Sequence, residues 1–305
     1  MRAIAGMATD IGKVRDHNED GFLVADPLFA VADGMGGHLG GEVASSVALD
    51  TLRRCWPERS LADALREANR AVYGRALRDM SVAGMGTTMT AVVLDGDELQ
   101  LAHVGDSRAY LVHDGRMIAL TDDHTLVGEM VRAGEITEQQ ARVHPRRSIL
   151  TRAIGIEPDV TVDEETFPIS PGDRLLLCSD GLSSGVSDET ILHWLDAKGD
   201  PQEAADALVV AANDGGGYDN VTVVVIDFAP DPAEDPEVVE AKVSETDGGE
   251  DAARAPDDDS PEGADAAQAT ADAPGGAAEG PEGPEAPTDA PSDKHGLLGR
   301  LFRRR

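Results

Sequence analysis

The chain has 305 residues, 58 of them Asp or Glu and 26 Lys or Arg, for a formal net charge of −32. Such a field repels polyanions, and phosphate neutralisation needs clustered bases, so a nucleic-acid partner is excluded. Two cysteines are too few for a disulfide framework, no run approaches the about 18 apolar residues of a membrane span, and the opening MRAIAGMATDIG lacks a signal-peptide core, so a reducing cytoplasm is expected.

Residues 22–25 and 28–32 are apolar runs parted by Asp26-Pro27, which predicts two strands around a turn. Helical spacing follows at 42–55 and 61–77, where Val43, Val47, Leu49 and Leu52, then Leu61, Leu65, Ala68 and Val72, form stripes suited to burial. A meander is expected next, with strands at 88–94, 99–104, 109–113 and 117–120 and hairpin turns at Asp95-Gly96 and Asp114-Gly115. Residues 124–152 read as helical, broken at Gly134, with a Pro145-Arg-Arg insertion that suggests a mobile flap. Strands return at 160–167 and 174–178, helices at 189–195 and 202–212, and a last strand at 221–228. Strands in blocks and helices in pairs argue for an α+β layered sandwich rather than alternating βαβ units.

Composition changes after Ala229. Residues 1–229 hold 38 acids and 19 bases; residues 230–305 hold 20 and 7, with ten of the 17 prolines. Residues 230–294 are therefore expected to be a disordered acidic tail, leaving 1–229 as one domain. In residues 295–305, HGLLGRLFRRR, Leu297, Leu298, Leu301 and Phe302 share a helical face beside Arg300 and Arg303 to Arg305. That basic tip either folds back on the acidic tail or makes a weak contact with anionic lipid or a partner protein.

Several chemistries are absent: there is no GKS or GKT loop, HExxH, GxSxG or CxxC, and neither cysteine has an arginine six positions later. What recurs is an aspartate at the end of an apolar strand, at Asp33, Asp106 and Asp180, with Asp219 immediately before the last strand. Strands lying side by side bring these four carboxylates to one rim, where mutual repulsion forces protonation unless divalent cations intervene. Oxygen ligands without a His or Cys set favour Mg²⁺ or Mn²⁺ over Zn²⁺. Taken singly, Asp33-Gly34 and Asp180-Gly181 also read as plain turns, and Arg15, before Asn18-Glu19-Asp20, as a surface ion pair or as a phosphate-binding fork.

Eight blocks in order resemble the metal-dependent protein phosphatase family of type 2C, in its bacterial form. They are GKVRDHNED (12–20), FAVADGMGGHLGGEVAS (29–45), GMGTTMTAVV (84–93), AHVGDSRAYL (102–111), LTDDHT (120–125), ILTRAIG (149–155), LLLCSDGLSS (175–184) and YDNVTVVV (218–225). The resemblance implies an αββα sandwich, two mostly antiparallel sheets flanked by helix pairs, with two Mn²⁺ or Mg²⁺ ions in a cleft. By the same resemblance Asp33 bridges the ions, the Gly34 carbonyl ligates the second, and Asp180 and Asp219 complete the first. Asp106 serves a weaker third ion, Glu19 and Asp20 act through water, and Arg15 grips the substrate phosphate. The implied reaction is direct attack of a dimetal-activated water on phosphoserine or phosphothreonine. The eukaryotic pattern places a histidine two residues after the bridging aspartate; here that residue is Met35, which leaves His38 as a doubtful general acid.

The expected partners are phosphorylated Ser/Thr proteins, including Ser/Thr protein kinases, met by a monomer in the cytoplasm, with the tip as a link to the inner face of the membrane. Two other readings are a phosphatase-like module that binds a phosphoprotein or kinase without turnover, and a narrow phosphatase with one regulatory substrate.

Overall fold

The computed structural model describes residues 1–37 and 39–231. The expectations for residues 232–294 and for the tip at 295–305 therefore lie outside the described residues. Eleven strands and seven α-helices follow in the described part. One sheet has the order β1-β11-β10-β7-β8, from Arg2–Asp10, Val221–Ala229, Arg174–Cys178, Arg108–His113 and Arg116–Ala119. The other has the order β2-β3-β5-β6-β9, from Asp20–Ala25, Leu28–Met35, Met89–Asp95, Glu98–Val104 and Asp163–Pro168, with β4 (Gly86–Thr87) paired to β3. Every pairing is antiparallel.

Strand periodicity builds the layers. In β3, Leu28, Ala30 and Ala32 pack with α1 (Gly40–Cys55) and α2 (Leu61–Arg78), while Phe29 and Val31 face the opposite sheet. In β11, Val224, Ile226 and Phe228 enter that same inter-sheet core, while Val221, Val223 and Val225 pack with α6 (Asp188–Ala197) and α7 (Pro201–Asp214). Three apolar cores separate four layers, as expected of an αββα sandwich. Ser60 caps α2 by accepting the Asp63 amide, and Asp200 caps α7, whose first residue is Pro201. No described helix is long and apolar enough to cross a membrane.

Some details differ from the sequence reading. The expected meander is two hairpins in different sheets: β5 pairs with β6 and β7 with β8, and the chain changes sheet through Gly105 to Ser107. β1 was not anticipated, because RAIAGMATD lacks a clean alternation; it forms by pairing with the apolar β11. Residues 160–162 do not join β9, since Val160 and Val162 pack into the core under the first helix pair. As the sequence suggested, the stretch from 124 is helical and broken at Gly134: α3 (Leu126–Arg132) and α4 (Glu138–Arg142) lie on either side of that glycine, the second closed by a Thr137/Gln140 capping box.

Candidate metal centre

The inter-sheet core turns polar at one end, and the strand period decides which side chains arrive there. Phe29 and Val31 are followed on the same face by Asp33. Asp20 stands directly opposite Asp33 in the β2–β3 ladder, so two carboxylates share one face, an unfavourable pairing when both are charged. Leu175 and Leu177 are followed by Ser179, and running back from Phe228, Ile226 and Val224 leads to Thr222 and Asn220. Asp180 begins α5 (Asp180–Gly185), directly after Ser179. Asp106 is carried by the loop between the sheets and is itself buried.

These acids are held by specific bonds. The Asp33 amide donates to Thr88 Oγ1 at 3.0 Å, and its carbonyl accepts from Thr87 Oγ1 and the Thr88 amide, each at 2.8 Å. Ser179 Oγ donates to Asp20 Oδ2 at 2.7 Å, whereas Asp20 Oδ1 is buried with no hydrogen-bond partner. Glu19 Oε1 accepts the Gly41 amide at 3.2 Å. Gly34 lies so close to this loop that a Cβ would meet the Gly41 carbonyl oxygen at 2.2 Å and the Glu19 carbonyl oxygen at 2.5 Å. Asn220 clamps the Arg15 loop: its Nδ2 donates to the Ile11 and His17 carbonyls at 3.0 and 2.9 Å, and its Oδ1 accepts the Glu19 amide at 2.9 Å. Arg15 Nη2 donates to Asp219 Oδ2 at 2.8 Å, and Nη1 lies 4.0 Å from Glu19 Oε2.

The electrostatics are those of a crowded acid cluster. Burial first, then the charges of Asp20, Asp180, Asp106 and Asp219, hold the Asp33 carboxyl well above its usual range. Asp180 is pushed up to about 6 by burial and by Asp219, and its hydrogen bond with Asp33 opposes the shift. Burial raises Asp20 to about 7, against the pull of Ser179 and Thr222, with Asp180 and Asp219 adding to the rise. Asp106 rises through burial and then Asp180 and Asp123, and Glu19 through burial. The Asp219 hydrogen bond raises the pKa of Arg15, keeping it charged.

Asp33, Asp180, Asp219, Asp106, Asp20, Glu19 and Arg15 thus form one mutually interacting group. Among the described residues, no three His, Cys, Asp or Glu side chains are arranged to hold an ion as they stand. The donor set nevertheless fits a hard cation: all oxygen, in electrostatic excess, with one buried oxygen free of protein partners. His38 lies outside the described residues. Thr88, Ser179 and Asn220, which fix the acids, were missed in the sequence; continuing the alternation of β10 and β11 past their apolar residues finds the last two.

Carboxylates that demand cations, beside a planar guanidinium fork of the kind that grips phosphate, mark a metal-dependent phosphatase when mounted on an αββα sandwich. The model of the family described as Protein phosphatase 2C matches residues 15–198. A serine/threonine phosphatase stp from Listeria innocua is 40% identical over 239 residues, spanning 73% of this chain and 95% of that protein. The crystal structure of the Mycobacterium tuberculosis serine/threonine phosphatase PstP/Ppp superposes with a TM-score of 0.71 at 41% identity, over 75% of this chain and 99% of that one. The catalytic domain of PstP in complex with two manganese ions gives a TM-score of 0.68 at 39% identity, over 75% and 99%. The chain belongs to the protein phosphatase 2C family, and it is a metal-dependent protein phosphatase.

Proposed function

We propose that the acid rim hydrolyses phosphoserine and phosphothreonine on proteins, including Ser/Thr protein kinases, with residues 1–229 acting as a monomeric catalytic domain. The observation that carries the reading is the crowding of carboxylates around Asp33: Asp20 stands opposite it in the β2–β3 ladder, and the charges of Asp180, Asp106 and Asp219 act on it as well. Asp33, the Gly34 carbonyl, Asp180 and Asp219 would hold two Mn²⁺ or Mg²⁺ ions; Asp106, with Asp180, would serve a weaker third. Bound cations supply Lewis-acid charge and a water acidic enough to attack phosphorus near neutral pH.

The chain's own side chains do the positioning. Arg15 presents its fork to two phosphoryl oxygens, oriented by Asp219 and Glu19 and held on a loop that Asn220 fastens to β11. Asp20, anchored through Oδ2 by Ser179, keeps Oδ1 available to accept a hydrogen from water and turn its lone pair toward the substrate. Met35, two residues beyond Asp33, has no proton for the leaving oxygen. Residues 230–294 act as a tether, and the tip at 295–305 as a weak contact for anionic membrane or protein.

Release of phosphate from a phosphothreonine peptide by the full chain, with and without Mn²⁺, tests the assignment. Turnover that requires Mn²⁺ and disappears in Asp33→Asn supports it. Mn²⁺-independent turnover, or none in the unaltered chain, overturns it.

A further inference from the structure

Gly105 stands where the chain leaves β6 of one sheet for β7 of the other, one residue before Asp106. Its φ is +116°, and a Cβ there would strike Thr88 Cβ at 2.5 Å and Cγ2 at 2.6 Å. The peptide is therefore pressed against Thr88, whose hydroxyl takes the Asp33 amide at 3.0 Å and meets the Ser107 hydroxyl at 2.5 Å. A displacement of Gly105 would thus be felt at both Asp106 and Asp33.

Both polar groups of Gly105 are taken by one residue. The His124 amide donates to the Gly105 carbonyl at 2.8 Å, and His124 Nδ1 lies 3.0 Å from the Gly105 amide. A backbone N–H can only donate, so Nδ1 must carry a lone pair. The ring's other nitrogen, Nε2, lies 3.0 Å from Asp163 Oδ2, an acceptor, which places the proton on Nε2. Asp163 is in turn paired with Arg152 through its other oxygen. His124 is fully buried, and its ring packs 4.6 Å from that of His103. The same residue gathers the base of the flap: the Thr151 amide donates to the His124 carbonyl at 2.8 Å, and Thr125 bridges to Leu150.

We infer that His124 is a positioning residue for Asp106: its bare Nδ1 fixes the Gly105 peptide, and so the placement of the Asp106 carboxylate in the acid rim, while Asp163 and Arg152 keep the ring proton on Nε2. None of the three contacts the reacting atoms. Groups that orient a metal ligand in this way typically account for about 10–100-fold in metal affinity. The inference rests on the proposed reading of Asp106 as a cation ligand.

Two isosteres separate positioning from general packing. In His124→Asn the amide oxygen falls near the Nδ1 position and can accept from Gly105, whereas in His124→Gln the amide reaches toward Asp163 and leaves Gly105 unserved. Mn²⁺ binding to the full chain by calorimetry should weaken by about 10–100-fold at the weakest site in the Gln variant, against no more than roughly threefold in the Asn variant. Amide exchange at Gly105 in the metal-free protein should be faster in the Gln variant alone. Equal Mn²⁺ affinity in the two variants, whether both weakened or both unchanged, overturns the inference. So does a ¹⁵N spectrum of the unaltered protein that puts the His124 proton on Nδ1, a test that needs no variant to fold. Asp106→Asn checks the ligand reading separately: if it leaves that Mn²⁺ site intact, the ligand reading fails whatever the histidine variants show.

Discussion

Arg15 and Asp219 are 204 positions apart in the chain, yet the guanidinium Nη2 and the carboxylate Oδ2 meet at 2.8 Å. The pair joins the loop after β1 to the loop before β11, and it sets the plane of the fork. Arg15→Lys keeps the charge and loses the plane. We expect kcat/KM for a phosphopeptide to fall by about 10–100-fold, with Mn²⁺ affinity changed by less than about threefold. Steady-state kinetics beside calorimetry check this; an equal fall in both would place Arg15 in metal binding.

Asp33 is held well above the ordinary carboxylate range by burial and four neighbouring acids. Asp33→Asn removes one member of a repelling set, so the metal-free protein should melt at least as high as the unaltered chain while losing Mn²⁺-dependent hydrolysis. A melting scan without metal and a phosphatase assay with it decide the matter. A lower melting point together with lost activity would mean that the side chain is needed for the fold.

Cation binding should also appear as stability. Mn²⁺ at about 100 times its Kd adds about 2.7 kcal/mol, which for a domain of this size corresponds to about 5–10 °C in Tm. Chelation should reverse the shift, and Asp180→Asn should reduce it. No response of Tm to Mn²⁺ would count against the acid rim as a cation site.

His103 is completely enclosed, bonded through Nδ1 to Thr90 Oγ1 at 2.9 Å and through Nε2 to the Asp122 carbonyl at 3.1 Å. Burial, then the neighbouring His124, lowers its pKa from 6.5 to about 3. Between these values the unfolded chain binds a proton that the folded chain refuses. The stabilisation is therefore complete above about pH 6.5 and is lost as pH falls toward about 3, at up to about 1.4 kcal/mol per unit. Denaturant titrations should show a shallower acid slope for His103→Gln than for the unaltered protein; identical slopes would exclude His103 as a source of acid sensitivity.

Gly34→Ala should be severe for a reason unconnected with charge. Its Cβ would fall 2.2 Å from a backbone oxygen of Gly41, and backbone cannot rotate away. The loop carrying Glu19 and the start of α1 must separate, which we expect to cost about 2 kcal/mol or more of stability and most of the activity. Thermal melting of the variant checks it.

The elements that could be read from sequence are those whose own pattern is strong. α1 and α2 carry an uninterrupted apolar stripe, and the Asp95-Gly96 and Asp114-Gly115 turns declare their hairpins. The gathering of Asp33, Asp106, Asp180 and Asp219 was legible because each closes or opens an apolar strand. What escaped depends on partners far along the chain. β1 becomes a strand through β11, and Asn220 reveals itself only through carbonyls at Ile11 and His17. Asp180 reads as a turn locally because DGLSSG has little helical preference; α5 forms where its Leu182 packs with α7. Sheet membership of β6 and β7 was hidden for a similar reason, since two adjacent hairpins look alike whether or not the chain between them changes layer.

The pairing of β1 with β11 also bears on how the protein is made. Among the described residues β1 is the first element to be synthesised and its sheet partner the last, with the other described elements between them. At about 5–20 residues per second, ribosomes leave β1 without a neighbour for roughly 10–40 s. During that interval the backbone groups of β1 form an open edge, free to pair with another chain.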